Sequence, residues 1–67
     1  MEEFSEEVFL QFEALRIFGF VNMMDRVLIQ QLALFLDFFE LAEVASDRKR
    51  YSQLLQLYSK WAKAHLN

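Results

Sequence analysis

The stretch of sequence that decides the fold runs from residue 47 to residue 66 and reads DRKRYSQLLQLYSKWAKAHL. Its apolar and aromatic residues recur every three or four positions, which is the spacing of one helix face. They are Tyr51, Leu54, Leu55, Tyr58, Trp61, Ala62 and His65. Lysine and glutamine residues fill the opposite side. The pattern predicts an amphipathic helix over residues 47–66 whose apolar stripe packs against the rest of the chain.

A strongly apolar helix is predicted near the start of the chain, over residues 5–18. Ser5 is a residue type preferred at the N-cap, and Glu6 and Glu7 complement the positive end of the helix dipole. Gly19 follows and adopts, at low steric cost, the left-handed conformation that ends many helices. Apolar residues cover much of the circumference of this helix, so we expect it to be buried on more than one side.

The middle of the chain predicts one longer and one shorter helix. The longer one covers residues 22–35 and starts at Asn22, a preferred N-cap residue. Asp37 is then a break signal, since with Glu40 it has an acidic form of the capping-box spacing. A short helix follows over residues 38–45, either as a separate element or as a kinked extension of the longer helix.

The composition confines these helices to a single domain. The chain has 67 residues and no cysteine, so no disulfide can compensate for the small core of so short a domain. Hydrophobic residues make up 55% of the chain, which excludes intrinsic disorder. One tryptophan, two tyrosines and eight phenylalanines are more rings than so small an interior holds, and exposed apolar patches mark interfaces. We therefore expect a compact all-α domain of three or four helices, packed as a homodimer.

The sequence indicates a binding protein and not an enzyme. His65 is the only histidine and lies on the apolar stripe of the last predicted helix, where packing or capping explains it better than base catalysis. Glu40, Glu43 and Asp47 share a helix face, but a hard cation needs oxygen ligands from several elements, so a solvated face is the favoured interpretation. With one glycine, no phosphate-binding loop is available. We expect no cofactor, no metal ion and no small-molecule substrate.

No segment predicts a membrane span or a signal peptide. The most apolar stretch, residues 27–39, is interrupted by Gln30, Gln31 and Asp37, whereas a span needs about 20 consecutive apolar residues. The chain starts with acidic residues, opposite to the basic start of a signal peptide. We expect a cytoplasmic protein that makes no contact with a membrane.

Charge is distributed unevenly along the chain, which raises a nucleic-acid hypothesis. All ten acidic residues precede residue 48, whereas the remaining residues carry basic side chains and no acidic ones. The candidate contacts to phosphate are Arg48, Lys49, Arg50, Lys60 and Lys63. The interpretation that we favour is that the basic segment complements the acidic one, within a chain or across a dimer.

Aromatic residues are the candidates for a protein interface, because they dominate the hot spots of protein–protein contacts. We expect the following set to be divided between the core and an interface: Phe4, Phe12, Phe35, Phe38, Tyr58 and Trp61. The sequence does not determine which of these rings face outwards, so the interface is predicted as a class of residue and not as a place on the fold.

A motif in the middle of the chain resembles a known family. Residues 19–25 read GFVNMMD, preceded by Leu15-Arg16 and followed in order by Gln30, Ala33, Phe39-Glu40-Leu41 and Tyr51. The pattern resembles a family of short, uncharacterised proteins of phages and prophages of Gram-positive bacteria, which carry Gly-x-x-Asn-Met-x-Asp. The likeness spans about residues 14–55, and Asp37 stands where the family often has glycine. The resemblance implies phage origin and a helical architecture, and it supplies no activity.

These observations together lead to one expected function and two alternatives. We expect a small phage-type accessory protein that acts by protein–protein interaction and binds or inhibits a host protein in the bacterial cytoplasm. The first alternative is a small nucleic-acid-binding regulator that uses the basic last helix. The second is a structural phage component that assembles into a larger ring or tail piece.

Overall fold

Four α-helices build the fold in a computed structural model that describes residues 4–19 and 21–65. In chain order the helices are α1 (Glu6–Phe18), α2 (Arg26–Phe35), α3 (Phe39–Ala45) and α4 (Arg48–His65). The described residues contain no β-strand. The radius of gyration is 10.8 Å, close to the value of about 11 Å expected for a compact domain of this length. The prediction of a compact all-α domain is confirmed, with four helices.

α1 begins and ends close to the predicted residues. Ser5 lies at the N-cap position and its carbonyl accepts from the Val8 amide at 3.1 Å, but its side chain makes no capping hydrogen bond. Gly19 has a φ of 78°, and its N–H donates to the carbonyl of Arg16 at 3.1 Å. The left-handed conformation predicted for Gly19 is therefore confirmed, and a β-carbon at this position would strain the backbone.

α2 begins later than predicted, because a tight turn precedes it. The side-chain oxygen of Asn22 accepts from the Met24 amide at 2.9 Å, and the Asn22 carbonyl accepts from the Asp25 amide at 2.9 Å. Asn22 thus bonds to its own local backbone, which competes with helix formation. Asp25 is the actual N-cap, since its carboxylate accepts from the Leu28 amide at 3.2 Å. The prediction that Asn22 caps the helix is wrong.

α2 and α3 are separate helices joined by a Schellman-type turn. The Phe38 amide donates to the carbonyl of Ala33 at 2.7 Å, and the Asp37 amide donates to the carbonyl of Leu34 at 3.2 Å. Asp37 has a φ of 60°, a conformation that costs less for aspartate than for most residues with a β-carbon. The predicted break at Asp37 is present, but Asp37 ends α2 and does not form the expected capping box at the start of α3.

The N-terminus of α3 is capped by a side chain from another helix. Phe38 occupies the N-cap position, and its side chain has no oxygen. Gln11 of α1 replaces that oxygen: its amide oxygen accepts from the Leu41 N–H at 3.0 Å, and its NH₂ group donates to the Glu40 carboxylate at 2.7 Å. α3 is therefore completed by α1, a long-range contact that sequence spacing does not reveal.

α4 starts next to Asp47, the first residue of the helix that the sequence predicts over residues 47–66. The carboxylate of Asp47 accepts from the Lys49 amide at 2.9 Å and from the Arg50 amide at 3.3 Å, so Asp47 caps the helix. The helix continues to His65, and the predicted end at residue 66 lies outside the described residues. The apolar stripe is buried in the first turns of α4 and becomes half-buried and then exposed towards its end.

The core lies around α3, which packs against all three other helices. Its buried residues are Leu41, Ala42, Val44 and Ala45. The buried apolar residues that enclose them are Val8, Phe9, Phe12, Leu15, Ile29, Ala33, Tyr51 and Leu54. The Arg26 guanidinium of α2 donates to the Ala45 carbonyl at 2.8 Å and so satisfies the C-terminal end of α3 as well.

We predict that Gln11→Ala destabilises the fold, because α3 loses an N-terminal acceptor that none of its own side chains replaces. Loss of a cap of this kind costs about 0.5–2 kcal/mol. Urea unfolding followed by circular dichroism measures the free energy of unfolding. Gln31→Ala is the matched control, since Gln31 is exposed on α2, and it should change that free energy by less than about 0.5 kcal/mol. Equal losses in both variants would contradict the capping role.

Candidate functional site

An open apolar groove lies between the C-terminal ends of α1 and α2. Its volume is about 360 Å³, and its lining residues are Leu15, Phe18, Val21, Leu32, Phe35 and Leu36. All six are apolar, and they come from the last turns of both helices and from the chain on either side of α2. A groove of this composition offers no hydrogen-bond partner from its lining side chains, so the group that it suits is an apolar one.

The groove is open because both helices end at an aromatic residue. Phe18 is the last residue of α1 and Phe35 is the last residue of α2. The chain turns away directly afterwards, at Gly19 and at Asp37, so no following helical turn covers either ring. Phe18 is 59% exposed and Phe35 is 83% exposed, whereas Leu15 at the base of the groove is 1% exposed.

The groove has a largely apolar border, although the exposed Asp37 directly follows the lining residue Leu36. Arg26 is the only charged residue of α2, and its guanidinium is turned to the C-terminal end of α3. Arg16 of α1 lies two residues before Phe18, about 200° away around the helix axis. Ile17 and Leu34 are 71% and 51% exposed and extend the apolar surface beyond the groove.

The aromatic residues predicted as interface candidates take three different positions. Phe35 is exposed on the groove, whereas Phe12 is 2% exposed and belongs to the core, so Phe12 is not available to an interface. The half-buried candidates packed against the core are Phe4, Phe38, Tyr58 and Trp61. Phe18 was not a candidate, although its place just before the helix-ending Gly19 was a signal for an uncovered ring.

A stack of aromatic rings joins the first part of α1 to the end of α4. The Phe9 and Trp61 rings have centroids 5.4 Å apart and are inclined by 9°. On the same helix as Trp61, His65 lies with its ring centroid 4.9 Å from the Trp61 ring, and its Nδ1 is 2.9 Å from the Trp61 carbonyl oxygen. These contacts place His65 in helix-end packing, as its position on the apolar stripe predicted.

A polar cluster that sequence reasoning missed joins α1 to α4 next to this stack. Arg16 Nε lies 2.7 Å from a Glu13 carboxylate oxygen and 2.9 Å from the Tyr58 hydroxyl, which itself donates to Glu13. Burial raises the pKa of Glu13, but hydrogen bonds from Arg16 and Tyr58 outweigh it, so its pKa lies below the usual value. The i, i+3 spacing of Glu13 and Arg16 was the available signal. The carboxylate is therefore held ionised as a link between helices.

The basic residues do not form one continuous group. Arg50 lies 3.4 Å from the Glu43 carboxylate of α3, as expected if basic and acidic segments complement each other within the chain. The remaining candidates are exposed along α4, namely Arg48, Lys49, Lys60 and Lys63. A second hollow of about 340 Å³ on this helix is lined by Gln53, Gln56, Leu57 and Lys60. Amide and ammonium groups therefore meet on the outer face of α4.

The residues that the structure describes contain neither a cluster of metal-ligand side chains nor a membrane-spanning helix. No group of three or more carboxylate or imidazole side chains in residues 4–19 and 21–65 could hold a metal ion. Glu40 and Glu43 lie on α3, whereas Asp47 caps α4, so the prediction that the three carboxylates share one helix face is wrong. None of the helices in the same ranges is long and apolar enough to cross a membrane.

Comparisons with known proteins add no function to this geometry. No family model, no curated protein and no solved structure matches the chain. The resemblance of residues 19–25 to a phage family consequently stays a hypothesis, and the groove, the polar cluster and the outer face of α4 are the features from which a function can be argued.

We predict that Tyr58→Phe destabilises the protein by about 1–2 kcal/mol at neutral pH, because it removes a hydrogen bond to an ionised carboxylate. The folded-state pKa of Glu13 lies below the unfolded-state value. The stabilisation is therefore present above the unfolded-state pKa and is lost as the pH falls through the folded-state pKa. Urea unfolding of both proteins at neutral and at acidic pH should show a difference that shrinks in acid.

Glu13→Gln provides the control for this pH dependence. In the Glu13→Gln background no carboxylate remains at this position, so the further change Tyr58→Phe should have the same effect at both pH values. If the effect of Tyr58→Phe in the unmodified protein is also independent of pH, the ionised state of Glu13 is not what the hydroxyl stabilises.

Proposed function

We propose that this protein works by binding another protein through the apolar groove and the two phenylalanines that border it. The observation that carries the proposal is Phe35, an 83% exposed ring on a groove whose lining residues are all apolar. An exposed aromatic ring beside an apolar pocket is typical of interface hot spots. Leaving this ring in water has a free-energy cost that a protein partner removes.

The exposed area of the two rings indicates how large the full contact must be. A fully buried aromatic side chain covers about 150–250 Å², so the exposed fractions of Phe18 and Phe35 represent roughly 200–350 Å². At about 25 cal/mol per Å², covering this area contributes roughly 5–9 kcal/mol. Association itself costs about 4–15 kcal/mol, so neighbours such as Ile17 and Leu34 must add to the contact. The groove is thus the centre of a larger binding face.

The identity of the partner is a separate part of the proposal. The resemblance of residues 19–25 to proteins of phages and prophages supports an accessory protein that binds or inhibits a host protein in the bacterial cytoplasm. The groove supports protein binding in general and is independent of that resemblance. The two parts can therefore be tested one at a time.

Nucleic-acid binding by α4 is the second candidate function. The observation that favours it is the hollow lined by Gln53, Gln56, Leu57 and Lys60, since amide and ammonium groups contact phosphates and base edges. The pairing of Arg50 with Glu43 argues against it, because a guanidinium engaged by a carboxylate contributes less to phosphate binding. We therefore rank this function below protein binding.

We predict that Phe18→Ala and Phe35→Ala each weaken capture of a host protein from a Gram-positive bacterial lysate by tenfold or more, which corresponds to about 1.4 kcal/mol. Phe39→Ala is the matched control: Phe39 is 60% exposed, about as much as Phe18, but does not line the groove. Circular dichroism of each variant checks that helicity is intact. Capture that is equally strong with all three variants would rule out the groove as the binding site.

For the second candidate function, we predict that binding to short DNA or RNA weakens steeply with salt and weakens further in Lys49→Ala with Lys60→Ala. Both residues are exposed on α4. Fluorescence anisotropy with labelled oligonucleotides at low salt measures the affinity. Glu7→Gln is the control, because it removes one charge from α1 and none from α4, and it should not weaken binding. An oligonucleotide that shows no binding at low salt excludes this function.

A further inference from the structure

We infer that the occupant of the groove is a second copy of this chain, with Phe35 of each copy inserted into the groove of the other. The inference rests on the proposed function, since it names what occupies the same site when no host protein is bound. Phe35 both lines the groove and projects from it, so one surface patch carries the inserted ring and the receiving groove. A twofold axis beside the end of α2 then makes both contacts at once.

The charge of this face is compatible with a contact between like copies. Residues 27–35 contain no charged side chain, and the lining residues of the groove are all apolar. A charged patch would repel its own copy and select an oppositely charged partner, whereas an uncharged patch accepts an identical one. Arg16, the charged residue nearest to Phe18 along α1, is bonded to Glu13 and Tyr58.

The exposed apolar area around the groove determines how strongly two copies of the chain can bind each other. A stable specific interface buries about 800 Å² on each partner. Phe18 and Phe35 supply roughly 200–350 Å², and Ile17 and Leu34 extend the face. These four side chains supply much less than about 800 Å², which corresponds to a weak, transient interface, and the two copies of Asp37 must remain in water beside it. We therefore expect a reversible dimer that dissociates on dilution.

The small core supplies a further argument for a second copy. Among the described residues, twelve apolar side chains are buried, and three of them are alanines. A core of this size leaves a domain of this length marginally stable. Binding of the folded state to another folded copy raises its stability with the logarithm of the concentration, and a copy is present wherever the chain is made.

The mass of the full chain in solution tests this inference. Size exclusion with light scattering, over about a hundredfold dilution, should give a mass approaching twice 8.1 kDa at high concentration and 8.1 kDa at low concentration. Phe35→Asp should remain a monomer throughout, because each insertion would bury a carboxylate in an apolar groove. Phe39→Ala should dimerise like the unmodified protein. Circular dichroism confirms that the variants are folded.

Cross-linking tests the geometry of the dimer directly. The chain has no cysteine, so each single-cysteine variant carries one defined thiol. An equimolar mixture of Leu34→Cys and Val21→Cys, joined with a short bifunctional maleimide, should give a linked heterodimer, since Leu34 is exposed next to the inserted Phe35 and Val21 lines the groove that receives the ring. A mixture of Phe39→Cys and Val21→Cys should give at least tenfold less. Equal yields from the two mixtures would overturn the proposed insertion.

The outcomes separate this inference from the proposed function. A monomer at every concentration, together with loss of partner capture on Phe35→Ala, overturns the second copy and keeps the groove as a binding site. A dimer whose mass is unaffected by Phe35→Asp also overturns the insertion. If neither the mass nor the capture of a partner depends on Phe35, both proposals fail. A dimer that Phe35→Asp abolishes and that the first cross-linking pair traps supports the inference.

Discussion

A helix of seven residues is too short to persist in water alone, and the whole fold is arranged around such a helix. α3 buries most of its residues against the other three helices. Both of its ends are satisfied from outside, by Gln11 of α1 at the N-terminus and by Arg26 of α2 at the C-terminus. α3 can therefore form only when α1 and α2 are in place, which makes the helices interdependent and the fold cooperative.

Hydrogen bonds from the side chains of one element to another link the elements of this domain, which has no cysteine and therefore no disulfide. The hydroxyl of Tyr51 on α4 donates to the Met23 carbonyl in the connection between α1 and α2. Burial, and then the charge of Asp25, raise the pKa of Tyr51 above its usual value, so the hydroxyl remains a donor even in mildly alkaline solution. This bond fixes the connection beside the groove, and the Glu13 cluster fixes the far end of α4.

Local signals in the sequence were sufficient for the number and type of the helices. Periodicity gave the apolar stripe of α4, and Gly19 and Asp37 marked two real helix ends. The start of α2 was misplaced because Asn22 and Asp25 are both good caps, and only the folded turn shows which one bonds to the helix. The caps of α3 could not be predicted, because Gln11 lies about thirty residues from the amide that it satisfies.

The sequence predicted that an aromatic interface exists, but not which residues form it. An excess of aromatic residues indicated an interface, but Phe12 and Phe35 look alike in the sequence and are 2% and 83% exposed in the fold. Exposure depends on which helix covers which face, and that follows from the enclosure of α3. Phe18 and Phe35 have one local property in common, because each is the last residue of a helix. Hydrophobic periodicity does not depend on that position, so it does not distinguish these two rings from buried ones.

The stack of Trp61 on Phe9 has an optical consequence. Trp61 is the only tryptophan of the chain, so its fluorescence reports on a single place, where the end of α4 rests on α1. Phe9 and Phe18 are nine residues apart on α1, which puts this place about 13 Å along the helix from the groove. The emission of the native protein therefore follows detachment of α4, whereas occupation of the groove should leave its spectrum largely unaltered. The molecule contains a built-in probe that separates unfolding at one end from binding at the other.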